Sequence, residues 1–119
     1  MLNKTHRFHG SRALRRVYAQ GQTVRGPLFS IGYAPSSRGA YRVAVVVSRK
    51  VCKSAVGRNR IRRRVYGAVR QLATDINKPA DIVITIFSES LLDVPSDELT
   101  RQLKHQLKAA GVLSERGKN

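Results

Sequence analysis

The residues of this chain best suited to chemistry lie between Arg49 and Val65, in the run RKVCKSAVGRNRIRRRV. Eight of the sixteen residues from Arg49 to Arg64 are Arg or Lys, and none is acidic. Guanidinium groups present planar forks of donors that meet phosphate oxygens two bonds at a time, so this run suits a polyanion. Arg58 and Arg62 are four apart and share a helical face, which Arg60, Arg63 and Arg64 widen. Like charges packed this closely repel one another and weaken a free helix, whereas an ordinary solvated face interleaves Glu with Lys. First-turn amides would add further anion contacts. Asn59, inside the cluster, fits two roles: a hydrogen bond to a nucleotide, or one to the preceding loop.

The charge is as uneven along the whole chain as it is within this run. Of 119 residues with net charge +16, residues 1–74 carry 17 Arg or Lys and no Asp or Glu, while residues 75–119 carry 6 basic and 7 acidic. Such a field calls for a neutralising partner, and nucleic acid is the first expectation, ahead of a membrane surface or an acidic protein. Without a carboxylate, the basic part cannot build a two-metal site of its own. His6 and His9 stand three apart and could form an acid–base pair, but contact with phosphate or solvent is the plainer role for them and for His105. Cys52 is the single cysteine, which excludes an intramolecular disulfide and a thiolate zinc cluster; it reads as a small loop hydrophobe. Catalytic and metal-ligating residues are therefore expected to be absent from this chain. No apolar run approaches the roughly 20 residues of a membrane span. The N-terminus MLNKTHRFHGSR lacks a signal-like apolar core, which makes the cytoplasm the expected location.

The elements that position the cluster follow from periodicity. After an irregular arm over 1–10, Leu14, Val17 and Tyr18 form an apolar stripe on a short helix from Ser11 to Gly21, with Arg12, Arg15 and Arg16 on its other sides. Residues 28–34 alternate as a strand, with Phe29, Ile31 and Tyr33 on one face. After turn material at 35–39, residues 41–48 form a second strand, expected to pair with the first as an antiparallel hairpin. Residues 49–57 read as an ordered loop with strand character around 50–53. A helix follows from about Arg58, burying Ile61, Val65, Ala68, Val69, Leu72 and Ala73 and turning Arg62, Arg63, Tyr66 and Arg70 outward. Pro79 closes that region. Residues 82–87, IVITIF, form the strongest strand and belong inside the sheet. Pro95 and Ser96 open a last helix with Leu99, Leu103, Leu107 and Ala110 buried, and Gly111 ends it. The fold class is α+β, a small sandwich of a mainly antiparallel sheet packed with helices in the order α-β-β-β-α-β-α. One domain over 1–113 and a flexible tail over 114–119 are expected.

Ser54-Ala-Val-Gly-Arg-Asn-Arg-Ile-Arg-Arg63 resembles the signature A-V-x-R-N-R-I-K-R of the bacterial ribonuclease P protein family, with Arg62 in place of the customary Lys. Arg7, the run Leu14-Arg-Arg-Val-Tyr18 with Gly21, the strand through Val43–Ser48 and Arg49-Lys50 extend the likeness over most of the chain. Departures are Leu14 where Phe is frequent, Gly32 where a strand aromatic is frequent, Lys53 for a glycine, a loop one residue longer, and Tyr66 for an Arg.

The resemblance implies a left-handed β-α-β crossover and a partnership with the catalytic RNA of ribonuclease P. On that reading Arg49, Lys50, Lys53, Arg58, Asn59, Arg60, Arg62 and Arg63 face the RNA. It also implies a cleft between the first helix and the sheet for the single-stranded 5′ leader of precursor tRNA, whose removal leaves the mature 5′ end. Phe8, Tyr18, Phe29 and Tyr33 are the candidate stacking platforms there, with Arg15, Arg16, Arg42 and Ser48 around them. Phe29, Tyr33 and also Tyr41 fit the core equally well, because only one face of a strand can line the cleft. Hydrolysis is implied to be the work of the RNA with Mg2+, the protein being a non-catalytic subunit with neither membrane nor DNA as partner. The alternative is a ribosomal or ribosome-assembly protein that binds rRNA without a nuclease role.

Overall fold

Residues 80–86, rich in β-branched side chains, occupy the middle of a four-stranded sheet, where both faces of a strand are covered. The computed structural model describes residues 11–35, 41–76 and 80–112. Its elements are α1 (Ser11–Gln20), β1 (Gln22–Arg25), β2 (Phe29–Pro35), β3 (Arg42–Val46), α2 (Ala55–Gln71), β4 (Ala80–Ile86) and α3 (Ser96–Ala110), with 3-10 turns at Ala73–Asp75 and Glu89–Leu92. The arm over 1–10 with Phe8, His6 and His9, the turn over 36–39, Pro79 and the tail over 114–119 lie outside the described residues.

The strand order is β1-β2-β4-β3. Strand β2 pairs antiparallel with both β1 and β4, and β3 pairs parallel with β4. The expected hairpin between the second and third strands does not form, because β4 inserts between them. Burial explains the exchange: Ile82, Val83 and Ile84 are at most 1% exposed, which an edge position would not allow. A parallel pair needs a crossover, and α2 provides it, giving a β3-α2-β4 unit. The element order α-β-β-β-α-β-α holds, but its first strand is Gln22–Arg25, which alternation did not reveal; residues 49–54 form the expected loop, a turn over 49–51 followed by irregular chain, without strand character around 50–53.

The sheet divides the apolar residues into two clusters. On one face Phe29, Ile31, Val43, Val45, Ile82, Ile84 and Ile86 meet Ile61, Val65 and Val69 of α2 and Leu99, Leu103 and Leu107 of α3. On the other face Val17 of α1 packs on Ala34, Ala44 and Val83, with Leu14 and Val46 at the margin. This second cluster is thin because the sheet is lined there by small residues. Gly32 leaves room for Val17, whose Cγ1 would lie 3.4 Å from a Cβ placed on it. At the helix end, a Cβ on Gly21 would stand 2.4 Å from the Tyr33 carbonyl oxygen, so only glycine lets the chain turn there.

Helix α2 starts three residues before Arg58, because Ser54 caps it: Ser54 Oγ accepts from the Gly57 amide at 3.1 Å. Its buried stripe contains the expected Ile61, Val65, Ala68, Val69 and Leu72, but Tyr66 joins it instead of facing outward. The Tyr66 hydroxyl accepts from the Val45 amide at 3.3 Å, which gives its polar end a partner inside the core. Helix α3 ends as expected at Gly111, which adopts the left-handed conformation at φ 82°.

Candidate nucleic-acid interface

The arginines of α2 divide by what they touch. Arg58 Nη1 donates to the carbonyls of Cys52 at 3.0 Å and Lys53 at 2.9 Å, which ties the loop back onto the helix. Arg64 does the same on the far side, reaching the carbonyls of Leu91 and Val94. Arg62 Nη2 donates to Asn59 Oδ1 at 3.2 Å, so Asn59 braces its neighbour one turn on and is not bonded to the preceding loop. Arg60, Arg63 and Arg70 are exposed, as are Arg49, Lys50 and Lys53. Arg58, Arg62 and Arg64 meet carbonyl and amide oxygens rather than carboxylates, so their charge is not neutralised by these contacts. Val56, 74% exposed at the start of α2, adds an apolar spot to the same basic region.

The rigidity of this surface has a local cause. Gly57 is packed so closely under the loop that an added Cβ would lie 2.6 Å from Cys52 Sγ. Val51 and Cys52 amides both bond to the Ser48 carbonyl at 3.1 Å, closing the turn that displays Arg49 and Lys50. Cys52 itself is 2% exposed, the small loop hydrophobe anticipated.

A second surface lies on the α1 side of the sheet. Tyr18 is 58% exposed there, not part of the buried stripe with Val17, because a helix lying on glycine and alanine buries only a narrow strip. Arg15 is exposed beside it and Ser48 is exposed at the end of the β3 segment. Arg16 and Arg42 are also on this side, but both are engaged by Asp81. Arg42 gives Nε to Oδ1 and Nη2 to Oδ2, each at 2.9 Å, and Arg16 Nη2 reaches Oδ2 at 2.5 Å. Arg16 also donates to the Pro35 carbonyl at 3.3 Å. The Asp81 side chain is 2% exposed. Burial alone would push its pKa up, but the hydrogen bonds and charges of Arg42 and Arg16 outweigh that and hold it below the usual carboxylate range.

Phe29 and Tyr33 are not brought to this surface. Phe29 is 1% exposed in the opposite cluster, and Tyr33 packs against the same cluster while its hydroxyl donates to Gln22 Oε1 at 2.9 Å. Strand alternation is the reason: residues 29, 31 and 33 turn toward α2 and α3, and residues 30, 32 and 34 toward α1. Tyr41 is likewise in the core. Three residues that sequence reasoning passed over belong in the picture. Asp81 was legible as the first acidic residue of β4 and only the second of the chain. Arg25 and Phe87 form a cation–π pair, with the Arg25 carbon 4.5 Å from the ring centroid. Nothing in their sequence positions announces that contact.

Among the described residues no group of three His, Cys, Asp or Glu side chains could hold a metal ion, and the carboxylate on the α1 face is occupied by two guanidinium groups. The donor set of the described residues does not fit a protein-held Mg2+ site. No helix among the described residues is long and apolar enough to cross a membrane.

Comparison with known proteins is consistent across sequence and structure. A family model described as Ribonuclease P matches residues 2–111. The ribonuclease P protein component of Chloroflexus aurantiacus is 35% identical over 112 residues, covering 94% of this chain and 82% of that protein. The ribonuclease P protein component of a Pseudanabaena species is 35% identical over 115 residues, covering 95% and 97%. In three dimensions, the RNase P protein of Staphylococcus aureus aligns with a TM-score of 0.81 at 24% identity, over 93% of this chain and 100% of that one. The RNase P protein of Thermotoga maritima aligns with a TM-score of 0.79 at 24% identity, over 87% and 96%.

Proposed function

The chain belongs to the ribonuclease P protein family, and from that premise we propose that it is the protein subunit that docks the catalytic RNA through α2 and guides the 5′ leader of precursor tRNA along the α1 face. The observation that carries the first half is the division of labour on α2. Arg58 and Arg64 hold loops, which leaves Arg60, Arg63, Arg49, Lys50 and Lys53 presented from a rigid base. A preorganised array of this kind gives up little conformational freedom on binding phosphates, so more of each contact appears as affinity. An rRNA-binding protein would share the charge; the family match and the named relatives favour the ribonuclease P subunit over it.

The second half rests on chemistry suited to unpaired nucleotides. Tyr18 offers a ring for a base to stack on, and Arg15 offers charge to the adjoining phosphate, without any arrangement that would read base identity. On this reading hydrolysis is the work of the RNA partner with Mg2+, and the subunit acts by adding binding energy at both ends of the substrate. The cytoplasm is the expected compartment of such an assembly.

Reconstitution tests the proposal. The protein is added to ribonuclease P RNA at low Mg2+, and release of the leader from precursor tRNA is followed. Stimulation that is larger for precursor than for mature tRNA binding is the expected result. Tight RNA binding with no gain in cleavage would favour the rRNA-binding alternative.

A further inference from the structure

The α1 face of the sheet is only half covered by α1. Register places Arg25 opposite Ser30, Ser30 opposite Thr85, and Val46 opposite Thr85, so these residues share the face on which Val17 rests over Gly32 and Val83. The Phe87 amide donates to the Leu28 carbonyl at 2.8 Å, which carries the β2–β4 ladder one step beyond Phe29 and Ile86. Phe87 therefore lies two residues past Thr85 on the same face, and four past Val83, a distance of about 13 Å along the strand. Around it are Ser30, Thr85 and Val46, all partly exposed, and the exposed Ser48. The Arg25 guanidinium stands over its ring at 4.5 Å while the arginine itself remains exposed.

A half-buried aromatic that holds an exposed guanidinium in place is a stacking surface with its own positive charge. Bases stack on guanidinium planes as they do on rings, and an adjacent phosphate completes the charge. We propose that Arg25 and Phe87 form a second nucleobase platform, binding an unpaired leader nucleotide farther along the strand than the one that stacks on Tyr18. The single strand then runs from Tyr18 across Val46 and Thr85 to Phe87. This rests on the assignment of the α1 face to the leader, and it adds a specific far end to that path.

The test uses the reconstituted holoenzyme with Phe87→Leu, Phe87→Tyr and Arg25→Ala, each compared with the wild type by thermal unfolding. Precursor tRNAs with leaders shortened stepwise from the 5′ end are titrated, and 2-aminopurine is placed at successive leader positions. Phe87→Leu and Arg25→Ala are expected to weaken long-leader binding about fivefold or more. The loss disappears below a threshold leader length and is absent for mature tRNA. One upstream 2-aminopurine is quenched by the wild type and by Phe87→Tyr, and recovers its emission with Phe87→Leu. Wild-type binding and quenching in both Phe87→Leu and Arg25→Ala, with Tyr18→Ala still impaired, would overturn the platform alone. If the wild type does not distinguish precursor from mature tRNA, the leader assignment fails and the platform with it.

Discussion

The guanidinium of Arg42 and the carboxylate of Asp81 meet in a two-bond fork, Nε to Oδ1 and Nη2 to Oδ2, both at 2.9 Å. The two residues are register partners on the parallel strands β3 and β4, so the fork bridges the two strands at the end where both begin. Arg16 of α1 closes onto the same carboxylate from the helix side. Asp81, the one buried acid among the described residues, thus joins three elements, and two arginines that look like ligands for RNA instead lock the helix that carries Tyr18.

Replacing Asp81 by Asn should destabilise the protein by about 3 kcal/mol, the low end for breaking a buried pair, because the arginines keep some contact with water. The side chains are 20% exposed for Arg42 and 36% for Arg16, against 2% for Asp81. Urea unfolding measures the loss, and an effect below about 1 kcal/mol would show that α1 is held by packing alone.

The same pair predicts a pH dependence. The folded Asp81 carboxyl sits below its ordinary value, so the unfolded chain binds the proton more readily. Its stabilisation is then complete above the unfolded value of about 4 and is lost as pH falls through the lower folded value. The stability difference between wild type and Asp81→Asn should be constant from neutral pH down to that region and shrink below it. A difference that shrank already near neutrality would point to another group.

Arg60 and Arg63 should behave differently from Arg58. Replacing the first two by Ala should leave unfolding within about 0.5 kcal/mol of wild type, as for surface positions generally. It should lower affinity for the catalytic RNA and reduce the salt slope by about 1.5, the release expected for two lost phosphate contacts. Arg58→Ala should cost stability, because the carbonyls of Cys52 and Lys53 lose their donor. An unchanged salt slope in the Arg60 and Arg63 double variant would remove them from the interface.

Tyr18→Ala should weaken precursor tRNA binding about tenfold, in the range of one lost base stack, with little effect on mature tRNA. At 58% exposure the side chain can be removed without opening the core. Equal losses for both tRNAs would place its role outside the leader path.

Gly57→Ala should destabilise by about 1–3 kcal/mol, because the new methyl meets Cys52 Sγ at 2.6 Å. Combining it with Cys52→Ala removes the obstacle, so the double variant should be more stable than the sum of the two single losses implies. Additive losses would mean that the loop yields elsewhere.

Much of the frame was readable because burial imposes periods. The stripes Ile61-Val65-Val69 and Leu99-Leu103-Leu107 follow the helical repeat, and the run 82–86 announces an interior strand by its lack of polar alternation. Tyr66 escaped that logic, since its position looked outward until the Val45 amide supplied a partner for its hydroxyl. The hairpin expectation failed for a different reason. Neighbouring strands in sequence pair by default, and only the competition for the doubly covered centre of the sheet put β4 between β2 and β3.

The candidate sites divide the same way. Charge order alone placed the basic excess in the first 74 residues and its densest part around α2, because acidic residues are missing from that part of the sequence. The family signature was likewise legible in one dimension, with Arg62 for the customary Lys. What each residue does was decided in three dimensions. Strand alternation sent Phe29 to the core and Phe87 to the open face, and the buried carboxylate of Asp81 engaged Arg16 and Arg42. A charge in a sequence has no assigned partner; only the packed chain, by placing carboxylates and carbonyls within reach of some arginines and not others, determines which remain for the RNA.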